Sequence, residues 1–185
     1  MVYILLGAGF EEAEALVTAD VLRRSDVPVT LAGIGGSAVT GSHSITVQAD
    51  LPVEQVTLKA GDMVVLPGGM GGVASIEHSR EAMALVRQAA SSGEYWLAAI
   101  CAAPTLLARA GLLPKGVPCV CYPGLEGELA QAGAAPKMDR STVAAGRLIT
   151  GRGPGSAFDF GLALAEALAG GAAAAQVRAG LQYEL

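Results

Sequence analysis

The chain has 185 residues, of which 52% are apolar and 16% charged, with 25 Gly and 9 Pro spread along it. A chain of this length buries roughly 70% of its unfolded surface without disulfides or a structural metal, which predicts one domain over residues 1–185 and excludes disordered and collagen-like classes. Seventeen acidic against twelve basic residues give a net charge of −5. The largest basic cluster is the pair Arg23, Arg24, so no surface tracks a phosphate backbone, and nucleic acid is not an expected partner.

Three cysteines form an odd set, which argues against a disulfide framework and predicts a reducing, cytoplasmic location. The first residues carry no basic n-region and meet Glu11 and Glu12 early, so they read as a core strand rather than a signal peptide. The longest apolar stretch, residues 96–113, is interrupted by Pro104 and Arg109, so no membrane span is predicted.

In chain order, residues 2–6 form an unbroken apolar run, the mark of a parallel strand covered on both faces. Residues 11–24 place Ala13, Leu16, Val17, Val21 and Leu22 at helical spacing, with acids first and arginines last, as the helix dipole favours. Residues 27–34 read as a second strand, 39–47 as a hairpin at a sheet edge, and 62–66 as a further buried strand ending in Pro67, Gly68 and Gly69. A Gly-rich bend follows, then a helix over 79–90 and a strand over 96–100. A new helix starts directly after Cys101 and ends near Gly111. Short strands are predicted over 117–122, 141–144 and 148–150, then helices over 156–168 and about 172–178, the Gly/Ala-rich stretch between them acting as a tight turn. Strands alternating with helices predict an α/β fold, a parallel sheet sandwiched between helices.

Ligands of such sheets bind outside the carboxyl ends of the strands, which directs attention to residues 7–14, 67–69 and 98–104. Cys101 sits where a strand turns into a helix, flanked by small residues, as in a nucleophile elbow. Free N–H groups at a helix start would lower its pKa and leave it largely thiolate at neutral pH; the alternative is a buried, space-filling cysteine. Glu14 lies on the same rim among Ala13, Ala15 and Leu16, where burial would raise its pKa and suit it to share a proton with the sulfur. Glu11 and Glu12 read as a solvated first helical turn. The N–H groups of Gly69 and Ala102 could form an oxyanion hole, or Gly68 and Gly69 could simply make a tight turn. Cys119 and Cys121 read as packing residues, His43 and His78 as surface histidines, and no metal site is indicated.

Four stretches taken together resemble the DJ-1/PfpI superfamily, nearest its DJ-1 branch: Gly9-Phe10-Glu11-Glu12-Ala13-Glu14, Leu66-Pro67-Gly68-Gly69, Ala98-Ala99-Ile100-Cys101-Ala102-Ala103-Pro104-Thr105 and Arg152-Gly153-Pro154-Gly155. The resemblance spans essentially the whole chain, including Ala175-Gln176-Val177-Arg178 near its end. It implies a flavodoxin-like sandwich and a homodimer packed partly through the first helix. It also implies a reactive Cys101 beside a protonated Glu14, with Gly69 and Ala102 as backbone donors around the sulfur. Arg24 and His43 fall near positions that approach the pocket across the family's dimer interface, His43 standing where human-type members carry an arginine. Tyr122 stands where those members carry a histidine near the cysteine, so a Cys-His-acid triad and protease activity are not expected. The implied activity is a glutathione-independent glyoxalase, extending to deglycation, that acts on small dicarbonyls such as methylglyoxal and needs no cofactor. The alternatives are a redox sensor or stress chaperone working through oxidation of Cys101, and a binding module without catalysis.

Overall fold

Apolar runs too short for helices and buried on both sides become the central strands. The computed structural model describes residues 1–183. Its main sheet has seven strands, ordered β10-β11-β7-β6-β1-β2-β5. These are β1 (Val2–Leu6), β2 (Val29–Gly33), β5 (Leu51–Pro52), β6 (Met63–Leu66), β7 (Trp96–Ile100), β10 (Thr142–Ala145) and β11 (Leu148–Gly151). All neighbours pair in parallel except β10, which runs antiparallel to β11 at one edge. Every residue of β6 is buried, and all of β7 but Trp96, which requires cover on both faces of the sheet.

The helices supply that cover in two groups. Helix α1 (Glu12–Arg24) packs on α6 (Ala157–Ala169), which packs on α7 (Gly171–Gly180). Helices α2 (Met70–His78), α3 (Arg80–Ser91), α4 (Ala103–Arg109) and α5 (Glu126–Gln131) form the other group. From β1 the chain runs outward to β2 and β5, then returns to β6 on the opposite side of β1. The switch point therefore lies between β1 and β6, where the loops after these strands part and leave room for a ligand.

Three expected features are corrected. The hairpin, β3 (Ala38–Thr40) with β4 (Thr46–Gln48), forms its own two-stranded sheet, and β5 holds the edge of the main sheet instead. The expected strand over 117–122 is reduced to β8 (Pro118–Cys119), which pairs with β9 (Ala135–Pro136). Its continuation is drawn away because Thr150 Oγ1 takes the Val120 N–H at 2.9 Å and Cys101 O takes that of Tyr122 at 2.8 Å. The Gly-rich bend is helix α2. Its glycines cost helix propensity but let it press on the loop after β1, where a Cβ on Gly72 would lie 2.6 Å from Phe10 Cα.

Candidate functional site

Cys101 is the single residue between the end of β7 and the N-cap of α4, and it has φ +65°, a left-handed conformation costly for a side chain with a Cβ. Its backbone is held there from both sides: its N–H donates to Gly151 O at 2.9 Å, and its carbonyl accepts from Tyr122 N–H at 2.8 Å. The turn aims the sulfur at the loop after β6. The backbone N–H groups of Gly69, in that loop, and of Ala102, next in the chain, favour a charged sulfur. Gly69, φ +81°, starts α2 from a conformation that favours glycine.

Glu14 reaches the same point from α1. It is 1% exposed, and its Oε2 accepts the Gly68 N–H at 2.6 Å, while Oε1 is buried without a hydrogen-bond partner. Burial pushes its carboxyl up to about 7, against the opposing pull of hydrogen bonds with Cys101 and Gly68.

The expectation of a thiol acidified by the helix start is overturned. Burial, then the charge of an ionised Glu14, push Cys101 up to about 12, although the Ala102 and Gly69 N–H groups pull the other way. Desolvation outweighs the two N–H groups, one at the N-cap of the seven-residue α4 and one at the N-cap of α2. With one group near 7 and the other near 12, Glu14 and Cys101 hold one proton and one negative charge between them over the whole intervening range. Ionisation of the sulfur thus runs through Glu14.

Above the sulfur opens a cleft of about 750 Å³, within the range of small-molecule sites. Tyr122, Leu125 and Pro154 form its walls with the exposed Met70, and Glu11 and His43 stand at its rim. His43, Tyr122, Gly69 and Ala102 are therefore brought to Cys101. Arg24 is not. Within its own chain it lies at the far end of α1, its Nε 2.8 Å from Asp20 Oδ2, in a groove against α7.

Glu12 is the site residue that sequence reasoning missed, and the expectation of a solvated side chain is corrected. It is 4% exposed and grips the 41–45 loop: Oε1 accepts the His43 N–H at 2.7 Å, and Oε2 lies 3.0 Å from His43 Nδ1. Burial alone would raise its carboxyl, but hydrogen bonds from its own backbone, from His43 and from Ile45 bring it down to about 2. Those contacts raise the His43 imidazole through its hydrogen bond to Glu12 and the charges of Glu11 and Glu12. A sequence signal existed in Gly41, where any Cβ would strike the Glu12 carboxyl. Glu11, Glu12 and His43 offer ligand atoms within 4.8 Å of one another, with Glu12 already engaged by the loop. Cys119 and Cys121 are both free and fully buried. Among the described residues, no helix is long and apolar enough to cross a membrane.

An elbow cysteine facing a buried glutamate over a switch point is the geometry the four motifs implied, and the model of the family described as DJ-1/PfpI matches residues 1–167. The chain belongs to the DJ-1/PfpI family. Its relatives include protein dj-1beta of Drosophila melanogaster, 41% identical over 179 residues, covering 96% of this chain and 94% of that one. The crystal structure of Drosophila melanogaster DJ-1beta shares the fold at a TM-score of 0.92 with 39% identity, covering 100% of this chain and 98% of the other. The glutathione-independent glyoxalase DJR-1.2 of Caenorhabditis elegans is 32% identical over 160 residues, covering 86% of this chain and 83% of that protein. A structure of Toxoplasma gondii DJ-1, oxidized, matches at a TM-score of 0.89 with 28% identity, covering 100% and 98% of the two chains. Membership in the DJ-1/PfpI family accounts for the mostly parallel, flavodoxin-like sheet, with its elbow at the carboxyl end of a central strand.

Proposed function

We propose that this protein is a glutathione-independent glyoxalase that converts small dicarbonyls such as methylglyoxal to hydroxy acids, with Cys101 as nucleophile and Glu14 as acid and base. The observation that carries the reading is the convergence of the Cys101 sulfur, the Glu14 carboxyl and the N–H groups of Gly69 and Ala102 around Gly68. In the singly charged pair, sulfur has two N–H donors, whereas the carboxyl has one and a buried oxygen with none. Passing the thiol proton to the Glu14 carboxylate therefore moves the charge to the atom that more N–H groups face, which is how the pair generates the nucleophile.

The reaction follows from that arrangement. The thiolate adds to the aldehyde carbon, and the carbonyl oxygen takes the Glu14 proton to give a hemithioacetal. The Glu14 carboxylate then removes the proton on that carbon and delivers it to the neighbouring carbon, passing through an enediolate whose charge the N–H groups face. The product is a thioester of the hydroxy acid, and water releases the acid and restores the thiol. Methylglyoxal plus water gives lactate, so the sequence is redox-neutral and calls for no cofactor. Deglycation of early dicarbonyl adducts extends the same chemistry. Tyr122 serves as a wall of the cleft.

Methylglyoxal consumption without glutathione, measured on wild type and Cys101→Ser, tests the proposal. Turnover that vanishes in the variant is expected, and equal rates overturn it. The similarity to the glyoxalase DJR-1.2 supports the activity, and family membership supports a homodimer packed partly through α1, with Arg24 and His43 of two copies near each pocket. A cytoplasmic location accords with three free cysteines.

A second reading, a redox sensor or stress chaperone, draws support from the oxidized Toxoplasma gondii relative. A sulfinate on Cys101 would accept hydrogen bonds from a protonated Glu14 and the two N–H groups. Intact mass after peroxide treatment separates the readings: a gain of two oxygen atoms lost in Cys101→Ser, with no dicarbonyl turnover, selects the sensor.

A further inference from the structure

A second depression, of about 390 Å³, lies beside the Cys101 cleft, and the two share Tyr122, Pro123 and Pro154 as a common wall. The divider is anchored through its backbone. Tyr122 is tied by its N–H to Cys101 O, and its ring packs over Gly153, where a Cβ would come within 3.2 Å of the ring.

The two sides of this wall present different charged groups. Within a single chain, no Lys or Arg among the described residues lines the Cys101 cleft; its ionisable rim groups are Glu11 and His43, and the His43 ring is already 3.0 Å from Glu12 and 3.6 Å from Glu11. The neighbouring depression is lined by Arg152, an exposed residue whose guanidinium has no ion pair or hydrogen bond among the described residues. Only its backbone is engaged, through N–H to Ser141 O at 2.9 Å. Asp159, the one acid there, keeps its charge and accepts the Tyr183 hydroxyl at 3.1 Å, so Arg152 is the cation of the depression and Asp159 its anion. Gly155 and Ser156 line the depression just before the first residue of α6, a 13-residue helix whose first turn carries Asp159.

We propose that the depression at Arg152 is a subsite for an anionic group of the substrate, so that the preferred substrates are α-oxoaldehydes or their adducts carrying a carboxylate or phosphate several atoms from the reacting carbonyl. The reactive end enters the cleft, Tyr122 separates the two parts, and the anion rests on Arg152.

Turnover of such substrates rests on the glyoxalase reading, but the subsite can be read without it. Alkylation of Cys101 is followed by peptide mass in wild type, Arg152→Gln and Arg152→Lys, with iodoacetamide, iodoacetylglycine and iodoacetyl phosphoethanolamine. Arg152→Gln is expected to slow the anionic reagents up to about fivefold, the scale of one exposed charge contact, and to leave iodoacetamide unchanged. Arg152→Lys should recover part of the loss. The reagent that loses more, carboxylate or phosphate, identifies the anion. Equal effects of Arg152→Gln on all three reagents overturn the subsite. If the anionic reagents alone are slowed while wild type leaves methylglyoxal intact, the subsite stands and the glyoxalase reading falls.

Discussion

Glu14 and Cys101 meet across a residue that has no side chain. A Cβ on Gly68 would lie 2.6 Å from Cys101 Cβ, 2.7 Å from Glu14 Oε2 and 3.0 Å from the sulfur. The first of these neighbours is fixed by the elbow backbone and cannot swing aside. Gly68→Ala is therefore expected to cost about 1–3 kcal/mol, as overpacking does, and to separate the carboxyl from the thiol. Urea unfolding reads the first effect and dicarbonyl turnover the second; a variant with wild-type stability and activity would show that the contact is dispensable.

The shared proton has a signature in reactivity. Cys101 alkylation in wild type should rise as the pair ionises near pH 7 and rise again toward pH 12. Glu14→Gln removes the charge that holds the thiol up, so its alkylation profile should show one step, below 12, while glyoxalase turnover collapses because an amide carries no transferable proton. Turnover that survives in Glu14→Gln contradicts the acid/base role.

The same group makes stability depend on pH. The folded-state pKa of Glu14, about 7, lies above its ordinary value of 4.5, so the folded protein binds the proton more tightly than the unfolded chain. Its stabilising contribution is complete below pH 4.5 and is lost as pH rises through 7, a change on the order of 3 kcal/mol for this buried group. Glu14→Gln should abolish that slope, so the variant gains on wild type between pH 5 and 8 when Tm is followed across the series.

Where a residue's role was set by its neighbours in sequence, it could be read directly. The strand ending at Ile100, the elbow at Cys101 and the acids opening α1 follow from apolar runs, small flanking residues and helix phase. Where the role depends on a distant segment, it could not. Glu12 looks like any first-turn acid until the loop bearing His43, about thirty residues later, folds over it. The raised Cys101 pKa is hidden for a related reason: a helix start is visible in sequence, whereas burial beneath the loop after β6 is a tertiary fact. Helix α2 was hidden by glycines whose low propensity is offset by contact with the Phe10 loop.

Arg109 ties together three helices that begin at the cleft. From the last turn of α4 its guanidinium bonds both oxygens of Glu77 on α2, at 3.2 and 2.9 Å, and Glu128 Oε2 on α5 at 3.0 Å. It also donates to Thr105 Oγ1 at 2.9 Å, and that hydroxyl donates to Ala102 O at 2.8 Å. The network is more than a third exposed, so its electrostatic part is screened, and Arg109→Ala should cost only about 1 kcal/mol in urea unfolding. Its larger effect is expected at the sulfur, because Ala102 is freed to move: Cys101 alkylation at pH 8 should slow while the fold is retained. A large loss of stability with unchanged alkylation would show that the tie acts on the helices alone.

The grip of Glu12 on the His43 loop can be followed from both partners. The carboxylate is held at about 2, below its ordinary value of 4.5, so its contribution is present above pH 4.5 and disappears as pH falls through 2. Glu12→Gln keeps an oxygen for the His43 N–H but loses the charge, and hydrogen bonds to a charged group contribute roughly 1.5–3 kcal/mol. The variant should therefore be about 2 kcal/mol less stable at pH 7 and nearly equal to wild type at pH 2. The exposed His43 ring should report the same change by NMR, its pKa falling back toward the ordinary 6.5 once the Glu12 charge is gone, leaving only Glu11 to hold it up. An unchanged His43 titration in Glu12→Gln would mean that the loop is held by its backbone N–H groups and not by the ion pair at the rim of the cleft.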